Sequence, residues 1–216
     1  MNLNQFNTFI FDLDNTLYKK DSKFFKQIEE RMEEFIINNL NTSKLEAKHI
    51  RTSYFLKYDT TLNGLIKNHR NINPMEYHEY ISDVNMKDLK PNNLLNRLLE
   101  NINGEKIIFT NGIYSYACRI LKQLELDHIF QNIYSLDKMN FISKPNQLSY
   151  DNLCSNYNIN PNKAIYFDDI EENLIPASNM GITTVLISNN EKIKSNKSNF
   201  FITSSIEKFL ITHGCT

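Results

Sequence analysis

Glycine and proline are scarce in this chain, five of each in 216 residues, and cysteine occurs only three times. Cys118, Cys154 and Cys215 are odd in number, far apart and outside any metal-ligand spacing, so reduced thiols in a cytoplasmic protein are expected. Cys118 falls in an apolar helical pattern and is expected in the core. No apolar run approaches the ~20 residues of a membrane span. The first residues, Met1-Asn2-Leu3-Asn4-Gln5, are polar, and Asp12 soon interrupts the apolar run behind them. Both the basic start and the apolar core of a signal peptide are missing. A surplus of charge is absent as well. Twenty-four Lys and Arg against 25 Asp and Glu leave a formal net charge of -1. That provides no general basic footprint for a nucleic-acid polymer and no cationic face for a membrane. Asn and Lys are abundant, but the Asn residues are scattered among periodic apolar positions, which fits compositional bias better than disorder.

What remains is an ordinary globular composition, 41% hydrophobic and 23% charged. The length suits one large domain, or a core with a smaller inserted one. Three short apolar runs share a design. Phe6 to Phe11 ends at Asp12, Lys106 to Phe109 ends at Thr110-Asn111-Gly112, and Lys163 to Phe167 ends at Asp168-Asp169. Such runs fit strands of a parallel sheet buried on both faces. Gly181 to Ile187 is a fourth candidate, with Ile129 to Tyr134 and Phe200 to Ile202 weaker ones. Helical patterns lie between them: Ile113 to Leu124, Leu148 to Tyr157 and Ile206 to Leu210. This alternation predicts an α/β fold, a Rossmann-like core with a mainly parallel sheet.

The alternation breaks once. From Tyr18 to about Glu100 the pattern is helical, with amphipathic stretches at Phe24 to Ile36, Leu45 to Leu56, Leu62 to Ile66, Met75 to Ile81 and Leu94 to Leu99. Asp21 or Ser22 can cap the first, and Pro91 can start the last. The expected organisation is a core of residues 1–17 and 101–216 with a helical insertion over 18–100. The polar segment Asn189 to Asn199 reads as an exposed loop.

Every polar cluster sits behind a strand run or before a helix. If strand geometry persists past Phe11, Asp12 and Asp14 project to the same side, and two such carboxylates need a neutralising partner. The pair suggests a metal site, a matched nucleophile and acid, or both. Thr110-Asn111, Lys144-Pro145 and Asp168-Asp169 with Asn173 can converge on it at the carboxyl ends of the strands. Hard cations prefer such oxygen ligands, while lysine, hydroxyl and amide groups suit a phosphate.

These four motifs, in this order, resemble those of the haloacid dehalogenase-like phosphohydrolases, and the resemblance spans nearly the whole chain. It implies Asp12 as the nucleophile that becomes an aspartyl phosphate, and Asp14 as the acid that protonates the leaving alcohol and then activates water. It implies Mg²⁺ held by the Asp12 side chain, the Asp14 backbone carbonyl and Asp169, with Asp168 as an extra ligand. Thr110, Asn111 and Lys144 would bind the phosphate, and the helical insertion would be a cap domain. Dehalogenase members lack the second aspartate, so Asp14 favours phosphate chemistry.

A finer resemblance is to the pyrimidine 5'-nucleotidase subgroup, carried by Phe11 to Tyr18, Ser53 to Tyr58, Leu62 to Leu65 and Tyr166 to Asp169. It implies a nucleoside 5'-monophosphate substrate and points to Tyr54 and Tyr58 as substrate contacts. Members usually have glycine after the second of those tyrosines, where this chain has Asp59. A small phosphate ester is thus the expected partner of a monomer or homodimer. Other readings of the same residues are a phosphomutase or phosphotransferase, a receiver-like module and a non-catalytic phosphate-binding module.

Overall fold

Six apolar runs become six parallel strands in one sheet: β1 (Thr8–Phe11), β2 (Glu105–Phe109), β3 (Asn132–Tyr134), β4 (Ala164–Asp168), β5 (Thr183–Ile187) and β6 (Phe201–Thr203). The computed structural model describes residues 1–19, 23–189 and 200–215. Strand order is β3-β2-β1-β4-β5-β6, with every neighbouring pair parallel. The chain builds outward from β1 to β3, then crosses to the other side of β1 and continues to β6. β1 and β4 therefore flank the point where the winding direction reverses, the usual place for a site in such sheets. All four residues of β1 and all five of β4 are buried, as near-continuous apolar runs demand in the middle of a parallel sheet.

The chain divides into two compact units, Met1–Lys20 with Lys90–Thr216, and Asp21–Leu89. The first holds the sheet and the helices α5 (Asn93–Glu100), α6 (Tyr114–Gln123), α7 (Gln147–Asn156), α8 (Glu171–Asn179) and α9 (Ile206–Thr212). The helical pattern of the sequence extends the insertion through residue 100, but α5 lies with the sheet unit. Leu95, Leu98 and Leu99 are buried, α5 packs on α9, and the Cys215 thiol donates to the Leu98 carbonyl. Nor does Pro91 start α5. Asn92 caps it by accepting from the Leu95 amide. Cys118, expected in the core, is only half-buried, and the interior face of α6 is Ala117, Ile120 and Leu121. Helix α8 is poorly marked in the sequence, because Pro176 falls inside it and few of its positions are apolar.

The second unit is helical: α1 (Lys23–Leu40), α2 (Lys44–Tyr58), α3 (Thr61–Asn68) and α4 (Pro74–Ser82). Arg51 of α2 bridges to Glu29 and Glu33 of α1 at 2.8 and 3.2 Å. Asp59 ends α2 with φ 67°, a left-handed conformation. Glycine enters that region freely and Asp is among the few other residues that tolerate it. The departure from glycine at this position thus preserves the turn between α2 and α3. Gly64 brings α3 against α2, since a Cβ there would meet Tyr54 Cβ and Cγ at 2.4 Å. Gly64→Ala is expected to destabilise this unit by about 1–3 kcal/mol through overpacking, read as lost hydrogen-exchange protection in α2 and α3. The expected cap at Asp21 or Ser22 and residues 190–199 of the polar loop lie outside the described residues. Among the described residues, no helix is long and apolar enough to cross a membrane.

Candidate active site

The first strand ends at Phe11, so Asp12 and Asp14 do not continue its pleat as the sequence suggested. Asp12 still takes one ladder bond, its amide donating to the Phe167 carbonyl at 2.9 Å, and the chain then turns, with Asn15 at φ 60°. The turn aims the two carboxylates at different partners. Asp12, 7% exposed, accepts from Lys144 Nζ at 2.9 Å through Oδ1 and from Thr16 Oγ1 at 3.0 Å through Oδ2. Asp14 accepts through Oδ1 from the phenols of Tyr18 and Tyr116, the latter at 2.6 Å.

Lys144 is the hub of the cluster and is 1% exposed. Its ammonium donates to Asp12 Oδ1, the Phe109 carbonyl and Tyr166 Oη, each at 2.9 Å, and to Asp168 Oδ2 at 2.8 Å. Its backbone is fixed by Asn111. The Asn111 amide nitrogen donates to the Lys144 carbonyl at 3.2 Å, and its Oδ1 accepts from the Lys144 N–H at 2.9 Å. Lys144 does not begin a helix as its proline neighbour suggested. A cis Lys144-Pro145 bond follows it, and α7 starts at Gln147 under an Asn146 cap. Thr110, 1% exposed behind β2, receives the Gly112 amide on its hydroxyl at 2.9 Å.

Asp168 is fully buried at the end of β4. Its Oδ1 accepts from the Ile170 amide at 2.8 Å and from Asn173 Nδ2 at 3.1 Å. Its Oδ2 accepts from Lys144, Tyr166 Oη and the same Asn173 amide. Asn173 lies on α8 and is held in turn by α7, its carbonyl accepting from Tyr150 Oη at 2.7 Å. Asp169 is half-buried beside them, and oxygens of Asp12, Asp168 and Asp169 lie within 4.8 Å of one another.

The electrostatics are those of a site with surplus negative charge. Burial pushes the Asp12 carboxyl well above the usual carboxylate range; Lys144 opposes the rise, and Asp168, Asp169 and Asp14 add to it. Burial also raises Asp14, against the hydrogen bonds from Tyr116 and Tyr18. At Lys144 burial favours the neutral amine, but Asp12 and Asp168 outweigh it and hold the ammonium above its ordinary value. One lysine is paired with two buried carboxylates, with the half-buried Asp169 beside them, a donor set suited to a hard divalent cation.

The structure therefore brings together Asp12, Thr110, Asn111, Lys144, Asp168 and Asp169 in the sheet unit, with Asp14 turned to its own pair of phenols. Tyr54 and Tyr58 belong to α2 in the helical unit. There their rings meet edge to face at 5.6 Å, and Tyr54 Oη lies 2.9 Å from His69 Nε2. Sequence reasoning misses Tyr116, because a tyrosine in an apolar helical stripe reads as core. Its position on the first turn of the helix that follows a site strand is the signal that marks it.

A profile of the haloacid dehalogenase-like hydrolases matches residues 9–187, which include every member of the cluster. Phosphate metabolism protein 8 of Saccharomyces cerevisiae is 30% identical over 194 residues, covering 82% of this chain and 60% of that protein. The chain thus spans 60% of the length of this curated relative. A HAD phosphatase from Thermococcus onnurineus has a similar structure, with a TM-score of 0.65 at 18% identity, over 97% of this chain and 98% of that one. L-2-haloacid dehalogenase of Xanthobacter autotrophicus, with chloropropionic acid covalently bound, gives 0.61 at 11% identity, over 98% of this chain and all of that one. Phosphatase and dehalogenase share the fold, so the fold does not choose between their reactions. The matched span, the sheet and the residues at its rim agree on one ancestry: the chain belongs to the haloacid dehalogenase-like hydrolases.

Proposed function

We propose that the chain is a Mg²⁺-dependent phosphatase acting on a small phosphate monoester through an aspartyl-phosphate intermediate. The observation that carries this reading is the division of labour between Asp12 and Asp14. Asp12 lies against Lys144 and the acidic cluster, while Asp14 is held apart by two phenols. A carboxylate nucleophile needs a cation beside it, and an acid–base group needs a separate, fixed position.

In this reading Asp12 attacks phosphorus. Lys144, fixed at both ends by its four acceptors and by Asn111, offsets the repulsion between carboxylate and phosphate. Thr110 and the Asn111 backbone hold the phosphate oxygens, since the Asn111 side chain is already committed to Lys144. Asp12 and Asp169, with the Asp14 backbone carbonyl, would hold Mg²⁺. Asp168 fits a different role. Its two oxygens already accept from four groups, so it positions Lys144 and Asn173 more than it serves as a ligand. Bound there, the ion would supply charge neutralisation for the transferring phosphoryl group.

For the substrate we propose a nucleoside 5'-monophosphate, with the helical unit as a cap that contributes Tyr54 and Tyr58. An edge-to-face pair of phenols with Lys57 and Lys67 near the Tyr58 ring offers flat apolar faces and positive charge, both suited to nucleotides. The test is phosphate release in Mg²⁺ from p-nitrophenyl phosphate and from a panel of nucleoside monophosphates and sugar phosphates. Release that disappears with chelator and is strongest on nucleotides is expected. A protein inert on the whole panel overturns the reading, and a preference for sugar phosphates overturns its nucleotide part.

A further inference from the structure

Asp14 is gripped by one oxygen. Tyr18 Oη and Tyr116 Oη both donate to Oδ1, and the two phenol oxygens lie 3.4 Å apart. Among the described residues no donor reaches Oδ2. The grip joins two separate pieces of chain. Tyr18 follows Asp14 by four residues in the loop after β1, and Tyr116 comes from the first turn of α6, 102 residues on. Tyr116 is 5% exposed, and the chain makes room for it, since a Cβ on Gly112 would come within 2.9 Å of its Cδ1. The first amide of α6, at Tyr114, is capped by Asp137 Oδ1 at 2.9 Å, which anchors the turn that carries the phenol.

We propose that Tyr18 and Tyr116 are positioning residues that hold Asp14 by Oδ1 and so make Oδ2 the oxygen that moves the proton in both half-reactions. An oxygen that already accepts two hydrogen bonds is a poor place for a proton, and two donors on one oxygen stop the carboxyl from rotating. The inference rests on the phosphatase reading above. In the first half-reaction an Asp12 oxygen bonds to phosphorus, and the bond from phosphorus to the ester oxygen breaks. Its electron pair stays on the ester oxygen, which takes the proton from Asp14 Oδ2 and leaves as an alcohol. In the second, a water oxygen bonds to phosphorus and passes a proton to Oδ2. The bond from phosphorus to Asp12 breaks, returning its pair to the carboxylate, and phosphate leaves.

The test compares two leaving groups in Tyr116→Phe and Tyr18→Phe, which keep the rings and remove only the hydroxyls. p-Nitrophenolate departs without a proton, whereas an alkoxide needs one. In kcat/KM, which reports the first half-reaction, the variants should fall ~10- to 100-fold on an alkyl phosphate and under ~3-fold on p-nitrophenyl phosphate. With p-nitrophenyl phosphate they should also show a burst of nitrophenolate before a slower steady state, because the second half-reaction still needs Oδ2. Gly112→Ala retains both hydroxyls but displaces the Tyr116 ring, and should likewise lower kcat/KM more on the alkyl phosphate than on p-nitrophenyl phosphate. Equal losses on both esters, or none on either, overturn the inference. A wild-type protein inert on both esters overturns the phosphatase reading instead, a result that no comparison of variants can mimic.

Discussion

Asp12→Asn is expected to abolish phosphate release, by ~10⁴-fold or more, as removal of a covalent nucleophile does elsewhere. The same variant should melt higher than the parent protein in metal-free buffer. The two effects have one cause. Asp12 is a nearly buried carboxylate whose charge is opposed by burial and by three neighbouring acids, with Lys144 and the Thr16 hydroxyl in its favour. An amide of the same size keeps an acceptor for Lys144 and sheds the unfavourable charge. Thr16, which now donates to Asp12 Oδ2, can rotate its hydroxyl to accept from the new amide. Lys144 then shares its charge with Asp168 at 2.8 Å and loses no acceptor. A gain of about 1 kcal/mol corresponds to a rise of ~2–4 °C in a protein of this size. Millimolar Mg²⁺ should narrow the gap, because an ion bound by the folded state stabilises the parent more than the variant. Thermal melts with chelator and with Mg²⁺, beside a release assay, check both halves. A variant that turns over, or that melts lower than the parent in chelator, contradicts the argument.

That result would show the site to be a place where stability is given up for chemistry, and such places are legible in a sequence for a physical reason. Four short polar clusters, three of them directly behind apolar runs, have no local purpose in a core, so Asp12, Thr110, Lys144 and Asp168-Asp169 stand out from the amino-acid order alone. The strands are equally plain, because residues buried on both faces leave nothing but apolar side chains in the middle of β1 and β4. What the sequence hides depends on three-dimensional placement. β1 ends at Phe11 and the chain turns through Asn15, so the two carboxylates do not share one strand face. Helix α5 looks like its neighbours in the insertion, and only its packing on α9 assigns it to the sheet unit. Tyr116 and Tyr166 read as core aromatics, and their hydroxyls matter only because the fold brings carboxylates to them. Asp59, where the resemblance leads one to expect glycine, takes the left-handed conformation at φ 67° that glycine enters freely.

Lys144→Met carries the largest expected cost in stability, and a less obvious gain. The ammonium is 1% exposed and serves four acceptors, two of them carboxylates. Methionine fills much the same volume but offers no donor. Asp168 keeps the Ile170 amide, Asn173 and Tyr166, so it is left hydrogen-bonded though without a counter-charge. Asp12 keeps only Thr16, and the Phe109 carbonyl loses the lysine it faced. Removing one partner of a buried ion pair costs about 3–5 kcal/mol, because the remaining charge has no compensation. A melting temperature well below the parent's is therefore expected in chelator. Adding Mg²⁺ should recover more stability in this variant than in the parent, since a divalent cation no longer competes with the ammonium for Asp12. The midpoint of the Mg²⁺ titration should move to lower concentration for the same reason. In the proposed phosphatase reading activity stays lost throughout, because the substrate phosphate would lose the cation beside Asp12. Thermal melts across a Mg²⁺ series, run beside phosphate release, separate the two roles. If Mg²⁺ stabilises parent and variant equally, the ion does not bind next to Lys144, and the metal site proposed at Asp12 and Asp169 is wrong.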